Sequence, residues 1–169
     1  MNIKSKYNWS VSHDIILSIT RKELWEIIST ANNLNLFHPF CKKNPVLNWP
    51  GINSIDEVHY YNGLVYERTF IKWINNVGYD LFIGEKNKIK SFVSWRIHGL
   101  GNKSKLTISV YPYIFNMSYK FINYLPFFLF VKPSLKKYLF NIGQGFNYYV
   151  QTHKSVTRNQ FGFHKWFSN

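Results

Sequence analysis

Late in the sequence the hydrophobic pattern of this chain changes from a long series of strands to one long helix, and this change limits the folds that the chain can adopt. From about residue 41 to 115, short apolar or alternating runs are separated by turn signals, of which Asn62-Gly63 is the strongest hairpin signal. From Pro133 to Val150, apolar residues recur at helical spacing. Short links between strands favour an antiparallel meander. The pattern therefore predicts an α+β chain in which a curved antiparallel sheet wraps around a long C-terminal helix.

The N-terminal part adds a strand and a short helix to this plan. Residues from Trp9 onward alternate in polarity and predict a strand that runs to about Ile19. Thr20 and Glu23 then form a capping box, which predicts a short amphipathic helix over about 21–31. The first strand is thus followed directly by a helical segment.

Aromatic residues make up 20% of the chain, and hydrophobic residues make up 46%. A core of such bulky rings either is filled by a few large side chains or lines a cavity. Gly143 and Gly145 interrupt the C-terminal helix, and they indicate either a close approach of the helix to the sheet or room for a ligand. Composition therefore allows an internal binding space.

The net charge of +13 is carried by 17 Lys and only 4 Arg against 8 acidic residues. Lysine is suited to diffuse attraction, whereas base readout favours arginine. The excess therefore indicates an anionic surface such as phospholipid and argues against nucleic acid, with a solvated basic surface as the alternative.

The order of strand, short helical segment, long meander and long C-terminal helix resembles the START and birch-pollen-allergen (Bet v) superfamily, also called SRPBCC or the helix-grip fold. The local carriers of the resemblance are residues 20–28 and the final amphipathic helix. It covers about residues 7–153, followed by a basic and aromatic tail at 154–169, and implies a single START-like domain over 1–169. Proteins with this layout look like containers for lipids, sterols, quinones or polyketides.

The resemblance implies binding or transport of a hydrophobic small molecule in an internal cavity. The alternative is an enzyme of the cyclase, aromatase or dehydratase kind that acts on an aromatic or polyketide substrate in the same cavity. Its catalytic candidates are His38, Arg68 and Tyr149. The histidines lack metal spacing and Gly99-Leu100-Gly101 lacks a third glycine, so neither a metal nor a cofactor is predicted. The sequence favours binding over catalysis.

Polarity assigns the inward face of several strands and of the helix. The residues predicted to contact the ligand are Tyr79, Leu81, Val93, Trp95, Ile97, Ile108, Val110, Ile142, Phe146 and Tyr149. The strand over 64–74 has two mixed faces. If Arg68 faces inward it must find an anion, and if it faces outward it pairs across the sheet.

The segment 121–131 combines aromatic rings with flanking lysines and contains Pro126, which should break a long helix. Such a segment suits contact with an anionic membrane during ligand exchange. The alternative is that its rings pack under the C-terminal helix or in a dimer contact. The longest apolar run, Leu125 to Val131, is too short to span a bilayer, and no secretory signal precedes it, so the expected place is the cytoplasm, peripheral to the membrane. The residues predicted to touch the membrane are Tyr124, Phe127, Phe128, Phe130 and Lys132.

Overall fold

The structure is a computed structural model that describes residues 3–168. The strands, in chain order, are β1 (Val11–Leu17), β2 (Cys41–Lys43), β3 (Val46–Asn48), β4 (Ile55–Tyr60), β5 (Val65–Ile74), β6 (Gly78–Gly84), β7 (Ser91–Leu100) and β8 (Lys103–Tyr111). The helices are α1 (Arg21–Ser29), α2 (Leu34–Phe37), α3 (Lys120–Pro126) and α4 (Lys132–Thr152), with a π-helical segment at Phe127–Val131 and a 3-10 turn at Ile3–Lys6.

The strands form one antiparallel sheet in the order β1-β8-β7-β6-β5-β4-β2, with β3 paired to β4. From β4 to β8 each strand pairs with the next one in the chain, as the short links predict. The sheet curves around α4, and the core lies between its concave face and that helix. The predicted helix-grip layout is confirmed.

The helix after the first strand begins where its capping box predicts. The backbone N–H of Glu23 donates to Thr20 Oγ1 at 3.3 Å, and the N–H of Thr20 donates to the Glu23 carboxylate at 2.7 Å. The helix ends at Ser29, slightly earlier than predicted, because Thr30 is extended. The loop that follows contains α2, which places His38 against Tyr138 in the N-terminal half of α4.

Strand β5 contains a bulge, which explains its two mixed faces. Its register with β6 shifts between Phe70 and Lys72, so Ile71 is the extra residue. Before the bulge Arg68 and Phe70 face the core, and after it Trp73 does, stacked on Tyr79 with ring centroids 5.5 Å apart. Each half of β5 therefore buries a different set of alternate residues.

Helix α4 passes very close to α2 and to β1 at its two glycines. A Cβ at Gly145 would lie 1.9 Å from the carbonyl oxygen of Phe37, and one at Gly143 would lie 3.1 Å from His13 Nε2. Close approach, and not room for a ligand, is therefore the role of both residues. At Gly145 the neighbour is α2 and not the sheet.

The helical path is continuous from Lys120 through α3, the π-helical segment and α4. The prediction that Pro126 breaks the helix is therefore wrong. The wider turns of the π-helical segment begin directly after this proline, which has no N–H to donate.

The C-terminal tail folds back over the open end of the sheet. The N–H of Val156 donates to the Leu36 carbonyl at 3.0 Å, and Asn62 Nδ2 donates to the Trp166 carbonyl at 2.8 Å. Phe167 is buried against Tyr60, with ring centroids 4.5 Å apart.

Candidate functional site

A cavity of about 350 Å³ lies between the concave face of the sheet, α4 and the C-terminal tail. Its wall is mostly aliphatic and aromatic, and no Asp or Glu of residues 3–168 lines it. The polar side chains on the wall are His38, Tyr60, Tyr66, Arg68, Ser91, Tyr113, Tyr138 and Trp166. This is the make-up of a small-molecule site, which is apolar with a few placed polar groups.

Three of these polar groups form a hydrogen-bonded chain. The backbone N–H of Phe40 donates to His38 Nδ1 at 3.2 Å, so the neutral ring carries its hydrogen on Nε2. That Nε2–H donates to the Tyr138 hydroxyl at 2.8 Å, and the Tyr138 and Tyr60 hydroxyls are 3.2 Å apart. The loop after α2, helix α4 and strand β4 each contribute one member.

This hydrogen-bonded chain has one more donor hydrogen than it has hydrogen bonds. His38 Nε2, Tyr138 and Tyr60 each supply one hydrogen, whereas the chain contains two hydrogen bonds. Whichever hydroxyl donates to the other, one O–H hydrogen is left without an acceptor among residues 3–168. Both tyrosines line the cavity.

Arg68 is the only charged side chain on the cavity wall within the described residues, and it is neutralised from behind. Its Nε donates to Asp56 Oδ1 at 2.7 Å and its Nη2 donates to Asp56 Oδ2, which also accepts from Asn44 Nδ2 at 3.0 Å. Arg68 and Asp56 face each other on β5 and β4, and both are buried. Burial opposes the charged guanidinium, but the Asp56 carboxylate outweighs it and raises the pKa of Arg68. The inward placement of Arg68 is therefore the one that the structure has, and its anion is Asp56.

Comparison with known proteins rests on structure, because no protein-family model and no curated protein matches this sequence. A solved protein from the dynemicin biosynthetic locus, DynU16, matches 89% of this chain with a TM-score of 0.62 and 11% identity, and this chain spans 51% of its length. Ara h 8.0201 matches 85% of this chain, and 98% of its own length, with a TM-score of 0.61 and 12% identity. A START superfamily protein from Mycobacterium smegmatis matches 86% of this chain, and 99% of its own length, with a TM-score of 0.60 and 12% identity.

The chain has the START-like, helix-grip fold. Its cavity lies where sheet and long helix face each other, and six of the predicted ligand contacts line this START-like cavity. They are Leu81, Val93, Trp95, Ile108, Val110 and Ile142. Of the catalytic candidates, His38 and Arg68 also line it. Whether these residues contact a ligand stays a prediction.

The other predicted contacts, Tyr79, Ile97, Phe146 and Tyr149, lie outside the cavity wall. Tyr79 is fully buried, stacked on Trp95 at 5.3 Å between ring centroids. The ring of Phe146 stacks on that of Phe37, with centroids 3.7 Å apart, and packs edge-on against Trp95, with centroids 5.8 Å apart. Trp95 and Phe146 are therefore in direct contact, with no space between them. Aromatic side chains of α1, α2 and β5 fill this part of the concave face, which leaves the cavity at the other part.

Tyr149 lies half-buried near the end of α4, beside His153, and not at the cavity. The structure therefore separates it from His38 and Arg68. The START-like cavity is also lined by Tyr60, Tyr138 and the tail residues Trp166 and Phe167, which were not predicted to contact the ligand. Tyr138 had a signal, since it occupies an inward position of the helical pattern.

Cys41 is buried among core residues, and this burial raises the pKa of its thiol to about 12. The side chains of Lys42 and Lys43 are exposed and do not activate it, so Cys41 is structural. Across residues 3–168, no three His, Cys, Asp or Glu side chains lie close enough together to share a metal ion. The described helices include none with the length and apolar character to cross a membrane.

His38 should make the stability of the protein depend on pH. Burial and the Arg68 charge lower the pKa of His38 from 6.5 to about 3. The folded protein therefore binds fewer protons than the unfolded chain between these values, so stability falls as the pH drops below 6.5. Each pH unit in this window lowers the free energy of unfolding by about 1.4 kcal/mol through one such group, which amounts to about 2 kcal/mol between pH 6.5 and 5.

Urea unfolding at several pH values checks this expectation. His38→Gln, which keeps a donor and an acceptor but does not titrate, should flatten the pH profile relative to wild type. His98→Gln is the control, because His98 is exposed. Parallel profiles for wild type and His38→Gln would show that His38 is not the group responsible.

Proposed function

We propose that this protein binds an apolar small molecule that carries a hydrogen-bond acceptor oxygen, such as a keto or ester oxygen, inside its START-like cavity. The observation that carries the proposal is the spare hydroxyl hydrogen of the hydrogen-bonded chain formed by His38, Tyr138 and Tyr60 in a mostly apolar wall. A buried donor without a partner is unfavourable, and a ligand oxygen would satisfy it. The rest of the ligand would be held by burial of apolar surface.

The size and electrostatics of the cavity support the same kind of ligand. Its volume of about 350 Å³ lies at the small end of the range for ligand pockets. Arg68 is already paired with Asp56, so the wall has little net charge to compensate an ionised ligand. A neutral molecule with one polar end therefore fits better than a strongly charged one.

The second candidate, a cyclase, aromatase or dehydratase acting on an aromatic or polyketide substrate, would use the same hydroxyl to polarise a carbonyl. Such chemistry also needs a base within reach of the substrate. His38 is poorly suited, because Nδ1 already accepts from Phe40 and Nε2 donates to Tyr138. This occupancy of both ring nitrogens favours binding without turnover. Conversion of an aromatic polyketide analogue that is lost in Tyr138→Phe would reverse this preference.

A matched pair of probes tests the proposed ligand class. The molecules 2-acetylnaphthalene and 2-isopropenylnaphthalene have nearly the same shape, but only the first has an acceptor oxygen. We expect the ketone to bind about fivefold more tightly or better, because one additional hydrogen bond contributes about 1 kcal/mol or more. A wall without a free donor would instead prefer the more apolar hydrocarbon. Titration calorimetry measures both affinities. A change of tryptophan fluorescence on probe binding that is reduced in Trp95→Phe would place the probe at the cavity.

The variant Tyr60→Phe/Tyr138→Phe should reduce the preference for the ketone, since it removes both hydroxyls of the chain. Tyr66→Phe is the matched control, because Tyr66 lines the cavity but is not part of the hydrogen-bonded chain. The proposed ligand class would be contradicted if wild type bound the ketone no more tightly than the hydrocarbon, or if it bound neither probe.

A further inference from the structure

The net positive charge of this protein comes from the second half of its sequence. Residues 1–85 contain 8 Lys and Arg and all 8 Asp and Glu, whereas residues 86–169 contain 13 Lys and Arg and no acidic residue. The net charge of +13 therefore arises entirely after residue 85. The C-terminal half includes β7, β8 and every helix from α3 onward.

The same half carries a cluster of exposed apolar side chains. On α3 and the π-helical segment, Phe121 is 95% exposed, Ile122 72%, Leu125 63%, Leu129 62% and Phe130 66%. Residues 121, 122, 125 and 129 follow helical spacing and so share one face. These five residues are called the apolar patch. Monomeric proteins seldom expose so many large apolar side chains together unless the surface binds something.

The structure changes which residues of this segment can reach a partner. Phe127, predicted to touch a membrane, is fully buried against Trp9, with ring centroids 4.8 Å apart. Phe128 is half-buried, and Lys132 lies over its ring at 4.5 Å. Tyr124 and Phe130 are exposed, and their contact with a membrane stays a prediction. Phe127 therefore anchors the helical segment to Trp9, which lies just before β1, and the apolar patch is the surface that this segment presents.

Exposed lysines flank the apolar patch in the sequence. Lys120 immediately precedes it, and Lys136 and Lys137 are exposed in the first turns of α4. From this arrangement we propose that the apolar patch docks on the surface of a bilayer that contains anionic lipid. The aliphatic and aromatic side chains enter the interface, and the lysines interact with the head groups. The proposal does not depend on what the cavity binds.

The charge distribution distinguishes this partner from two others. A second copy of the chain would bring its own lysines against Lys120, Lys136 and Lys137, and residues 86–169 have no acidic side chain to pair with them. Single-stranded nucleic acid stacks on aromatic rings, but Ile122, Leu125 and Leu129 offer aliphatic surface instead. Insertion into lipid uses both the charge and the aliphatic side chains.

Cosedimentation with phosphatidylcholine vesicles, with and without phosphatidylserine, tests the proposal. We expect binding to the anionic vesicles that weakens in high salt, and the exposed double variant Phe121→Ser/Leu125→Ser should weaken it about tenfold or more. Leu47→Ser/Ile52→Ser is the matched control, because both residues are exposed apolar side chains outside the patch. Lys136→Glu/Lys137→Glu should also weaken binding more than Lys42→Glu/Lys43→Glu, which makes the same charge change in the first half.

Three results would overturn the proposal. The first is an absence of vesicle binding by wild type. The second is a self-association, detected by analytical ultracentrifugation, that Phe121→Ser/Leu125→Ser abolishes while vesicle binding is unaffected. The third is binding that depends on the lysines alone and is shared with an RNA oligonucleotide, which would indicate a general polyanion surface.

Discussion

Replacement of Arg68 with methionine should lower the free energy of unfolding by about 3–5 kcal/mol, because it leaves a buried carboxylate without its counter-ion. The Asp56 side chain is fully buried, and Arg68 supplies two of its three hydrogen-bond donors. Asn44 alone cannot replace a charge in this environment. The effect should appear as a shift of the urea or guanidinium midpoint with little change of slope.

The double variant Arg68→Met/Asp56→Leu distinguishes the cost of leaving one buried charge unpaired from the contribution of the ion pair as a whole. It should be more stable than Arg68→Met, since an apolar pair leaves no unpaired ion in the core. Lys88→Met is the control, because Lys88 pairs with Glu85 on the exposed surface and its loss should leave the midpoint unchanged. If Arg68→Met matched wild type, the ion pair would not be a stabilising element of the cavity wall.

Gly145→Ala should destabilise the protein by about 3 kcal/mol, although alanine favours a helix by about 1 kcal/mol over glycine. The added methyl group would lie 1.9 Å from the carbonyl oxygen of Phe37, and this neighbour is backbone, which cannot rotate away. Either α4 or α2 must move. Because α2 leads directly to His38, the chain of His38 with Tyr138 should be disturbed as well.

Gly143→Ala is the matched control in the same helix. Its added methyl group would lie 3.1 Å from His13 Nε2, at the end of a side chain that can shift. The gain in helix propensity should offset this contact, so the net change should stay within about 1 kcal/mol. Thermal or chemical unfolding measures both variants. Equal stabilities for Gly145→Ala and Gly143→Ala would contradict the close contact between α4 and α2.

The layout of the fold could be predicted from local patterns. The capping box of Thr20 and Glu23, the Asn62-Gly63 turn and the helical spacing after Pro133 each depend on residues close together in the chain. The inward faces of β6, β7 and β8 were likewise readable, because polar residues such as Asp80, Ser94 and Thr107 mark the opposite face. Strand β5 was not, since the bulge at Ile71 exchanges its two faces and nothing in its residues marks the place.

The orientation of the segment after β8 could not be predicted for a related reason. A run such as Phe127 to Val131 is apolar on every side, so it has no polar face from which to infer burial. In the structure, contact with Trp9 buries Phe127 and leaves Leu129 and Phe130 outside. The buried side was set by a residue far away in the chain.

The candidate site depends both on local sequence patterns and on contacts between residues that are distant in the chain. Trp95, Ile108 and Ile142 were assigned to the inward faces of their elements from period alone, and they line the cavity. The position of the cavity depends on which part of the concave face is filled by rings from α1, α2 and β5, and on the tail that covers the other part. The spare hydroxyl hydrogen arises because folding brings His38, Tyr60 and Tyr138 together from separate elements. Periodicity records which side of an element is apolar, whereas contacts between distant residues arise when the elements pack.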